Sequence, residues 1–216
     1  MQALAEYWND RASTYDNDHG SENEAAWARE LSRLIGENRS ISVLDAGAGT
    51  GFLSIKLAAL GCRVTASDIA EKMLEKAKQK AESCGLRICC TTQTGDVLPF
   101  DSDCFDLVIS SRVLGLVEKP METLDDWVRV LRPGGKMIAM VRLMQKPKSE
   151  SDRSKAPLCY AAPEDFETAL IKAGLLEVHT EVLPEDMMLD DPRRWYVFVG
   201  RKPETTAEKK QAIGNR

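Results

Sequence analysis

Residues 43–51 read Val43-Leu44-Asp45-Ala46-Gly47-Ala48-Gly49-Thr50-Gly51, three glycines at alternate positions after a short apolar run. Glycines so placed let backbone approach a ligand closely. Nucleoside triphosphates, dinucleotides and S-adenosylmethionine (SAM) are all held at glycine-rich turns after a strand. A triphosphate loop needs GxxxxGK[ST], and no Lys-Ser or Lys-Thr follows these glycines. A dinucleotide turn is GxGxxG, with the pyrophosphate on a helix N-terminus. Here the spacing is GxGxG, and Asp45 precedes the first glycine by two residues. A carboxylate there would repel a pyrophosphate and suit a cation, such as the α-ammonium of a methionine moiety beside a sulfonium. The charge of the turn favours SAM.

Two further acids extend the pattern. Asp68 ends a second strand, where a carboxylate can accept from both ribose hydroxyls. Asp96, in "GDVLPF", follows a third strand and could accept from an adenine amine, with Ile69 and Val97 on either side of the ring. Taken singly, each feature has a plain structural reading. The glycines could be a tight βα connection, and Asp68 could be only a helix cap. Turn, acid and acid at the carboxyl ends of consecutive strands together read as a ligand site, because open α/β sheets bind there.

These residues need elements to hold them. "ISVLDA" (41–46) reads as a buried strand and "FLSIKLAAL" (52–60) as a helix ended by Gly61. "RVTASD" (63–68) is a second strand, and "AEKMLEKAKQKAESC" (70–84) a helix stopped at Gly85. "RICCTT" (87–92) and "CFDLVIS" (104–110) follow as strands. "METLDDWVRVL" (121–131) is helical, and Pro133-Gly134-Gly135 then turns into the strand "KMIAMVRLM" (136–144). Upstream, Ser21-x-x-Glu24 reads as a capping box for a helix carrying Ala26, Trp27, Leu31, Leu34 and Ile35. Strands alternating with helices imply right-handed crossovers and a parallel sheet, the α/β class. Residues 145–162 are polar and broken by Pro147 and Pro157, a loop. A helix over 163–173 leads to "LLEVHTEVL" (175–183) and "RWYVFVGR" (194–201), an antiparallel pair at the sheet edge. Residues 203–216 have little to bury and read as a disordered tail, leaving one domain over 1–202.

Composition excludes several classes. The chain has 216 residues, 43% hydrophobic and 29% charged, with a net charge of −5. That balance argues against a default affinity for nucleic acid, which needs clustered Lys and Arg. No signal peptide or membrane span is visible, so a cytoplasmic location is expected. The cysteines (Cys62, Cys84, Cys89, Cys90, Cys104, Cys159) lack CxxC spacing and read as small buried hydrophobes, with no metal site expected.

"VLDAGAGTGFLSIKLA", "VTASDIAEKMLEKAK", "GDVLPFDSDCFDLVISSRVLGLVEKP" and "RVLRPGGKMIAMV" resemble the successive motifs of class I SAM-dependent methyltransferases, in the branch that includes ubiquinone and menaquinone biosynthesis. "YWNDRASTYD" is similar to the N-terminal cofactor-lid helix of that branch, and residues 1–40 would be lid helices. The resemblance implies a single-domain Rossmann-like fold, with a seven-stranded, mostly parallel sheet whose last strand is antiparallel and helices on both faces. It implies that Gly47, Ala48, Gly49 and Gly51 wrap the methionine part of SAM, with Asp45 beneath it. Asp68 would take the ribose. Ile69 and Met73 would line the adenosine pocket, Gly95, Asp96 and Val97 would hold adenine, and Ser110 and Ser111 would line the reaction centre. Tyr15 would close over the cofactor. Two departures stand out: Ala70 replaces a usual serine, and "RVLGLVEKP", with Gly115 and Leu116, lacks a familiar candidate base.

Methyl transfer from a sulfonium is an in-line displacement, so alignment alone supplies much of the catalysis. No DPPY-like, NPPY-like or Pro-Cys signature of nucleobase methylation is present. The economical expectation is a small acceptor that is already nucleophilic at S, N, O or carbon. Candidate catalytic groups are His19, Tyr15 and Arg112, and candidate acceptor contacts are Tyr7, Arg112 and Tyr160, the last in a substrate-cover loop over 145–162. His19 could equally be an exposed loop residue, and Arg112 a surface ion pair; His179, alternating in a late strand, reads as structural. Two alternatives stay open: a methyltransferase of RNA or protein working with a partner subunit, and a non-catalytic SAM-binding module. A monomer or a homodimer is expected.

Overall fold

The computed structural model describes residues 2–18, 23–93, 97–114, 117–143, 162–187, 195–208 and 210, and every statement below concerns these. Seven strands run in the order β3-β2-β1-β4-β5-β7-β6, numbered along the chain. Six are parallel and the last, β7, is antiparallel, with helices between: the Rossmann-like class expected from the sequence. The chain divides into two compact units.

The first unit comprises residues 1–96 and 184–192. It contains α1 (Gln2–Arg11), a 3-10 turn (Tyr15–Asp18), α2 (Glu24–Ile35), β1 (Ser42–Ala46), α3 (Phe52–Ala59), β2 (Arg63–Asp68), α4 (Glu71–Ser83), β3 (Cys89–Thr92) and a 3-10 turn (Glu185–Met187). Strand β2 pairs in parallel with β1 and β3. Val43, Leu44, Asp45 and Ala46 are all buried, as parallel strands covered on both faces require. Gly61 and Gly85 end α3 and α4 with positive φ, as expected. The α2 cap is a correction. The N-cap is Asn23, whose side-chain oxygen accepts from Ala26 N–H at 3.2 Å, rather than Ser21. Asparagine immediately before the first helical residue meets the same need for an acceptor.

The cysteines are a second correction. Cys62 is buried, but Cys84, Cys89 and Cys90 are exposed. The physical reason is position: Cys89 and Cys90 are on β3, the edge strand, whose side chains lack a neighbour on one side, and Cys84 is at the C-cap of α4.

The second unit comprises residues 97–183 and 193–216. It holds β4 (Phe105–Ser111), α5 (Pro120–Val130), β5 (Leu131–Arg142), α6 (Pro163–Lys172), β6 (Leu176–Val182) and β7 (Trp195–Arg201). Strands β4 and β5 pair in parallel, and β7 runs antiparallel to both β5 and β6. The Pro133-Gly134-Gly135 turn lies inside β5 rather than before it. Phe105 pairs with Leu131, and two residues later Leu107 pairs with Lys136, so Arg132–Gly135 bulge out of the ladder. Proline fits there because a bulge asks it for no ladder donor. Of the expected tail, Pro203 is buried and Glu208 pairs with Arg201 at 3.1 Å.

Candidate active site

The glycine turn between β1 and α3 satisfies its own backbone. Gly47 and Ala48 N–H both donate to Ser67 C=O, at 2.8 and 2.9 Å, and Gly51 N–H donates to Ala48 C=O at 2.9 Å. Gly49 N–H donates to Asp68 Oδ2 at 2.8 Å. Asp68 therefore joins the end of β2 to the turn after β1. Its other oxygen accepts from Ala70 N–H at 2.9 Å, and the N-cap position of α4 belongs to Ala70, not to Asp68. The Ile69 N–H also acts on this carboxylate, so backbone and ligand share its remaining lone pairs. Burial raises the Asp68 carboxyl above its usual range, against the backbone N–H groups that lower it.

Asp45 is buried at the carboxyl end of β1 and accepts from the Ser54 hydroxyl at 2.6 Å. Burial lifts its carboxyl from 3.8 to about 7, opposed by the Ser54 hydroxyl and assisted by the charge of Asp68. Two carboxylates held this way in low dielectric make a site that favours a cation. They would not accommodate a pyrophosphate.

Gly51 is the N-cap of α3 at φ +83°. A Cβ there would lie 2.7 Å from Ala77 Cβ and 3.1 Å from Ala77 Cα on α4. Gly49 has φ +54° and nothing within 4 Å of the same construction. Gly51→Ala is expected to cost about 3 kcal/mol, from left-handed strain plus overpacking. Gly49→Ala should cost about 1 kcal/mol, from strain alone. In thermal unfolding that is a Tm drop of roughly 6–12 °C for the first and about 3 °C for the second. Equal drops would mean that the approach of α4 to the turn is not what selects glycine.

The N-terminal segment is tied down over this turn. Thr50, itself buried, donates from Oγ1 to Asp16 Oδ1 at 2.6 Å, and Lys80 Nζ reaches Asp16 Oδ2 at 3.1 Å. Asn9 Oδ1 accepts from Lys72 N–H at 2.9 Å. Ala12 packs with Ala70 and Met73, and Trp8 and Tyr15 lie against that cluster. Met73, expected on the adenosine side, is buried in this contact, and Ile69 is half-buried. Tyr15 meets the Trp8 ring edge-on at 6.0 Å; Tyr7, 51% exposed, meets it at 5.0 Å. Sequence reasoning missed Thr50, Asp16, Lys80 and Ser54. Asp16 follows Tyr15 directly and was available to it; a contact 34 residues apart in sequence carries no periodic signal.

In the second unit, Val97 is 60% exposed, Ser110 is buried, and Ser111 Oγ is buried at the end of β4. Arg112 adopts φ +69° with its guanidinium carbon 4.8 Å from the Trp195 ring centroid. His179 Nδ1 lies 3.0 Å from Glu177 C=O on β6. His19, Gly95, Asp96 and Tyr160, with Ser21, Gly115, Leu116 and the 145–161 part of the cover loop, lie outside the described residues. Among the described residues, no cluster of three or more His, Cys, Asp or Glu could hold a metal, and no helix is long and apolar enough to cross a membrane.

Residues 44–139 match a family described as a methyltransferase domain. A demethylmenaquinone methyltransferase of Clavibacter sepedonicus is 36% identical over 116 residues, 54% of this chain and 47% of that protein. The Bacillus subtilis methyltransferase YodH is 31% identical over 151 residues, 67% of this chain and 64% of that protein. The chain thus spans less than two thirds of either relative. Among solved structures, phosphoethanolamine N-methyltransferase 2 of Haemonchus contortus, in complex with SAM, has a TM-score of 0.72 at 18% identity. That match covers 90% of this chain and 57% of the other, and at this identity it speaks for the fold. Both the matched domain and the named relatives are methyltransferases, in agreement with the resemblance read from the sequence.

Proposed function

We propose that this chain, which carries a class I methyltransferase domain, binds SAM and passes its methyl group to a small nucleophilic molecule. The observation that carries the reading is the pair of raised carboxylates, Asp45 buried and Asp68 half-buried, converging on a glycine turn free of lysine. That donor set fits a ligand with an ammonium and a ribose diol. Asp45 would hold the ammonium and Asp68 the diol, with the turn at Gly47, Gly49 and Gly51 against the methionine chain. SAM supplies an electrophilic methyl on a sulfonium.

What the protein adds is chiefly placement. The Asp16–Thr50–Lys80 contact holds Tyr15 and α1 on the cofactor unit, which supports the lid role expected of that segment. Holding two reactants in line supplies several kcal/mol without acid–base help. A thiolate, amine, phenolate or activated carbon needs no base, which accords with the absence of a familiar base after β4. Demethylmenaquinone is the acceptor named for the Clavibacter sepedonicus relative, and the match covers 47% of that protein. A monomer or homodimer in the cytoplasm completes the proposal.

The test is transfer of labelled methyl from SAM into a size-fractionated lysate, with Asp68→Ala as control. Label in the low-molecular-weight fraction, lost in the variant, is the expected result. Label confined to RNA or protein would overturn the small-molecule reading in favour of a macromolecular substrate. Binding of S-adenosylhomocysteine without any transfer would point to a non-catalytic module.

A further inference from the structure

The N-terminal segment of the first unit is held by few apolar contacts. Among residues 2–18, Ala12 alone is buried, with Trp8 and Tyr15 partly covered beside it. No residue of α1 itself is buried. A helix of ten residues is marginal in water without packing, so its docked state depends on what fastens it. Its seam with α4 is open and polar. A cavity of about 250 Å³ lies along that seam, lined by Asn9, Asp10 and Ser13 on one side and by Lys72, Lys76 and Gln79 on the other. Segments with little buried apolar surface open at low cost while the rest of the fold stays intact.

One polar contact is tight against that loose seam. Thr50, 2% exposed, donates from Oγ1 to Asp16 Oδ1 at 2.6 Å. Lys80 Nζ reaches Asp16 Oδ2 at 3.1 Å and Thr50 Oγ1 at 3.4 Å. Thr50 stands between Gly49 and Gly51, and Gly49 is the residue whose N–H Asp68 accepts. The glycine turn is therefore pinned from two sides, by Asp68 at the end of β2 and by Asp16 from the N-terminal segment. A buried hydroxyl that loses its acceptor goes unpaired unless water reaches it. Asp16 thus cannot leave without opening this side of the turn to solvent. The Lys80 and Asp16 side chains are 38% and 50% exposed, so salt weakens that arm of the contact.

We propose that Asp16 is the latch of a cofactor gate. SAM enters and S-adenosylhomocysteine leaves when Asp16 releases Thr50 and residues 2–18 lift from α4. Asp16 is a positioning residue, acting through Thr50 on the turn that would carry the methionine chain. What passes the gate rests on the SAM reading; the fastening of the segment does not. Because the latch controls opening, its removal speeds entry and exit together and moves the equilibrium affinity less than either rate.

Association and release of tritiated S-adenosylhomocysteine by the full chain, followed by rapid filtration, test this, with amide hydrogen exchange of the same proteins beside them. Asp16→Ala should raise both rate constants at least about tenfold, the worth of one hydrogen bond to a charged group, and change Kd by less than either. Thr50→Val should match it, while Thr50→Ser, which keeps the donor, should stay near the wild type. Lys80→Met should raise the rates up to about fivefold, the range of an exposed ion pair, and lose most of the acceleration by sodium chloride that the wild type shows. In hydrogen exchange, Asp16→Ala should speed the α1 amides at least about tenfold and leave those of β1 and β2 unchanged. Unchanged rates in Asp16→Ala overturn the gate, as does a loss of affinity carried by release alone. Thr50→Ser as fast as Thr50→Val also overturns it, because packing and not the hydroxyl would then hold the segment. Binding of S-adenosylhomocysteine with unchanged α1 exchange in Asp16→Ala rejects the latch alone. Faster α1 exchange in a chain that binds no S-adenosylhomocysteine rejects the cofactor reading and keeps the fastening.

Discussion

Asp45→Asn is expected to lower affinity for SAM about a hundredfold at pH 8 while making the folded protein more stable. The first effect follows from losing a carboxylate beside the proposed ammonium; a hydrogen bond between charged groups contributes about 1.5–3 kcal/mol. The second follows from burial. In the fold the Asp45 carboxyl holds its proton up to about pH 7, against 3.8 for its ordinary value. Between those pH values the native chain keeps a proton that the unfolded chain has released. This group's contribution to stability therefore falls as pH rises from about 4 to about 7, and stays low above. The displacement corresponds to roughly 4 kcal/mol at most. Asparagine removes that cost and can still accept from the Ser54 hydroxyl, though its amide N–H brings a new need for a partner. Urea unfolding of both proteins at pH 4.5 and pH 8 checks this: the variant should gain at pH 8 and be near neutral at pH 4.5. A loss of stability at pH 8 would mean that Asp45 is kept as a partner of α3 and not for a cation. Wild-type affinity for SAM should also rise with pH up to about 7, because a cation binds the ionised form, and the variant should lose that slope.

The cofactor half of the molecule was legible because its signals are local. β1 and β2 are marked by short apolar-rich runs ending at Asp45 and Asp68, and α3 and α4 by the terminating Gly61 and Gly85. The Asp45, Gly47, Gly49, Gly51 and Asp68 positions follow from distance along one βαβ unit. What could not be read were contacts made by folding. Asp16 is tied to Thr50 and Lys80, and Asn9 to the start of α4, across gaps in sequence that no pattern marks. The bulge at Arg132–Gly135 was visible as Pro-Gly-Gly, yet its place inside β5 depends on Lys202, whose backbone pairs with Gly134 and Gly135 at 3.0 and 2.8 Å. The thiols on β3 were misread because composition does not say which strand forms the edge. Arg112 was singled out for its charge, while the features that give it meaning, its left-handed backbone and the Trp195 ring, exist only in three dimensions.

Asp68 separates its ligand role from its structural one through a pair of substitutions. Asp68→Ala removes the acceptor of Gly49 N–H and Ala70 N–H together, leaving two backbone donors to find water. Each such loss costs about 1–3 kcal/mol where the group stays buried, so the turn loosens and Tm falls. Asp68→Asn keeps one acceptor oxygen and presents an amide N–H where an acceptor stood. The native carboxyl is itself penalised by burial, which raises it above its ordinary range, so a neutral side chain recovers part of that cost at pH 8. Tm of the asparagine variant should therefore stay close to wild type. Affinity for SAM should fall in both, by about a hundredfold or more, because a diol that donates two hydrogen bonds to a carboxylate loses about 1.5–3 kcal/mol for each. Calorimetric titration and thermal unfolding of the two variants side by side check the pair. If the asparagine variant binds SAM like the wild type, the carboxylate serves only to fasten the turn to β2. If it unfolds as early as the alanine variant but binds normally once folded, the same holds. Lost affinity with retained Tm identifies Asp68 as a ligand acceptor that the fold also uses to set the shape of the turn.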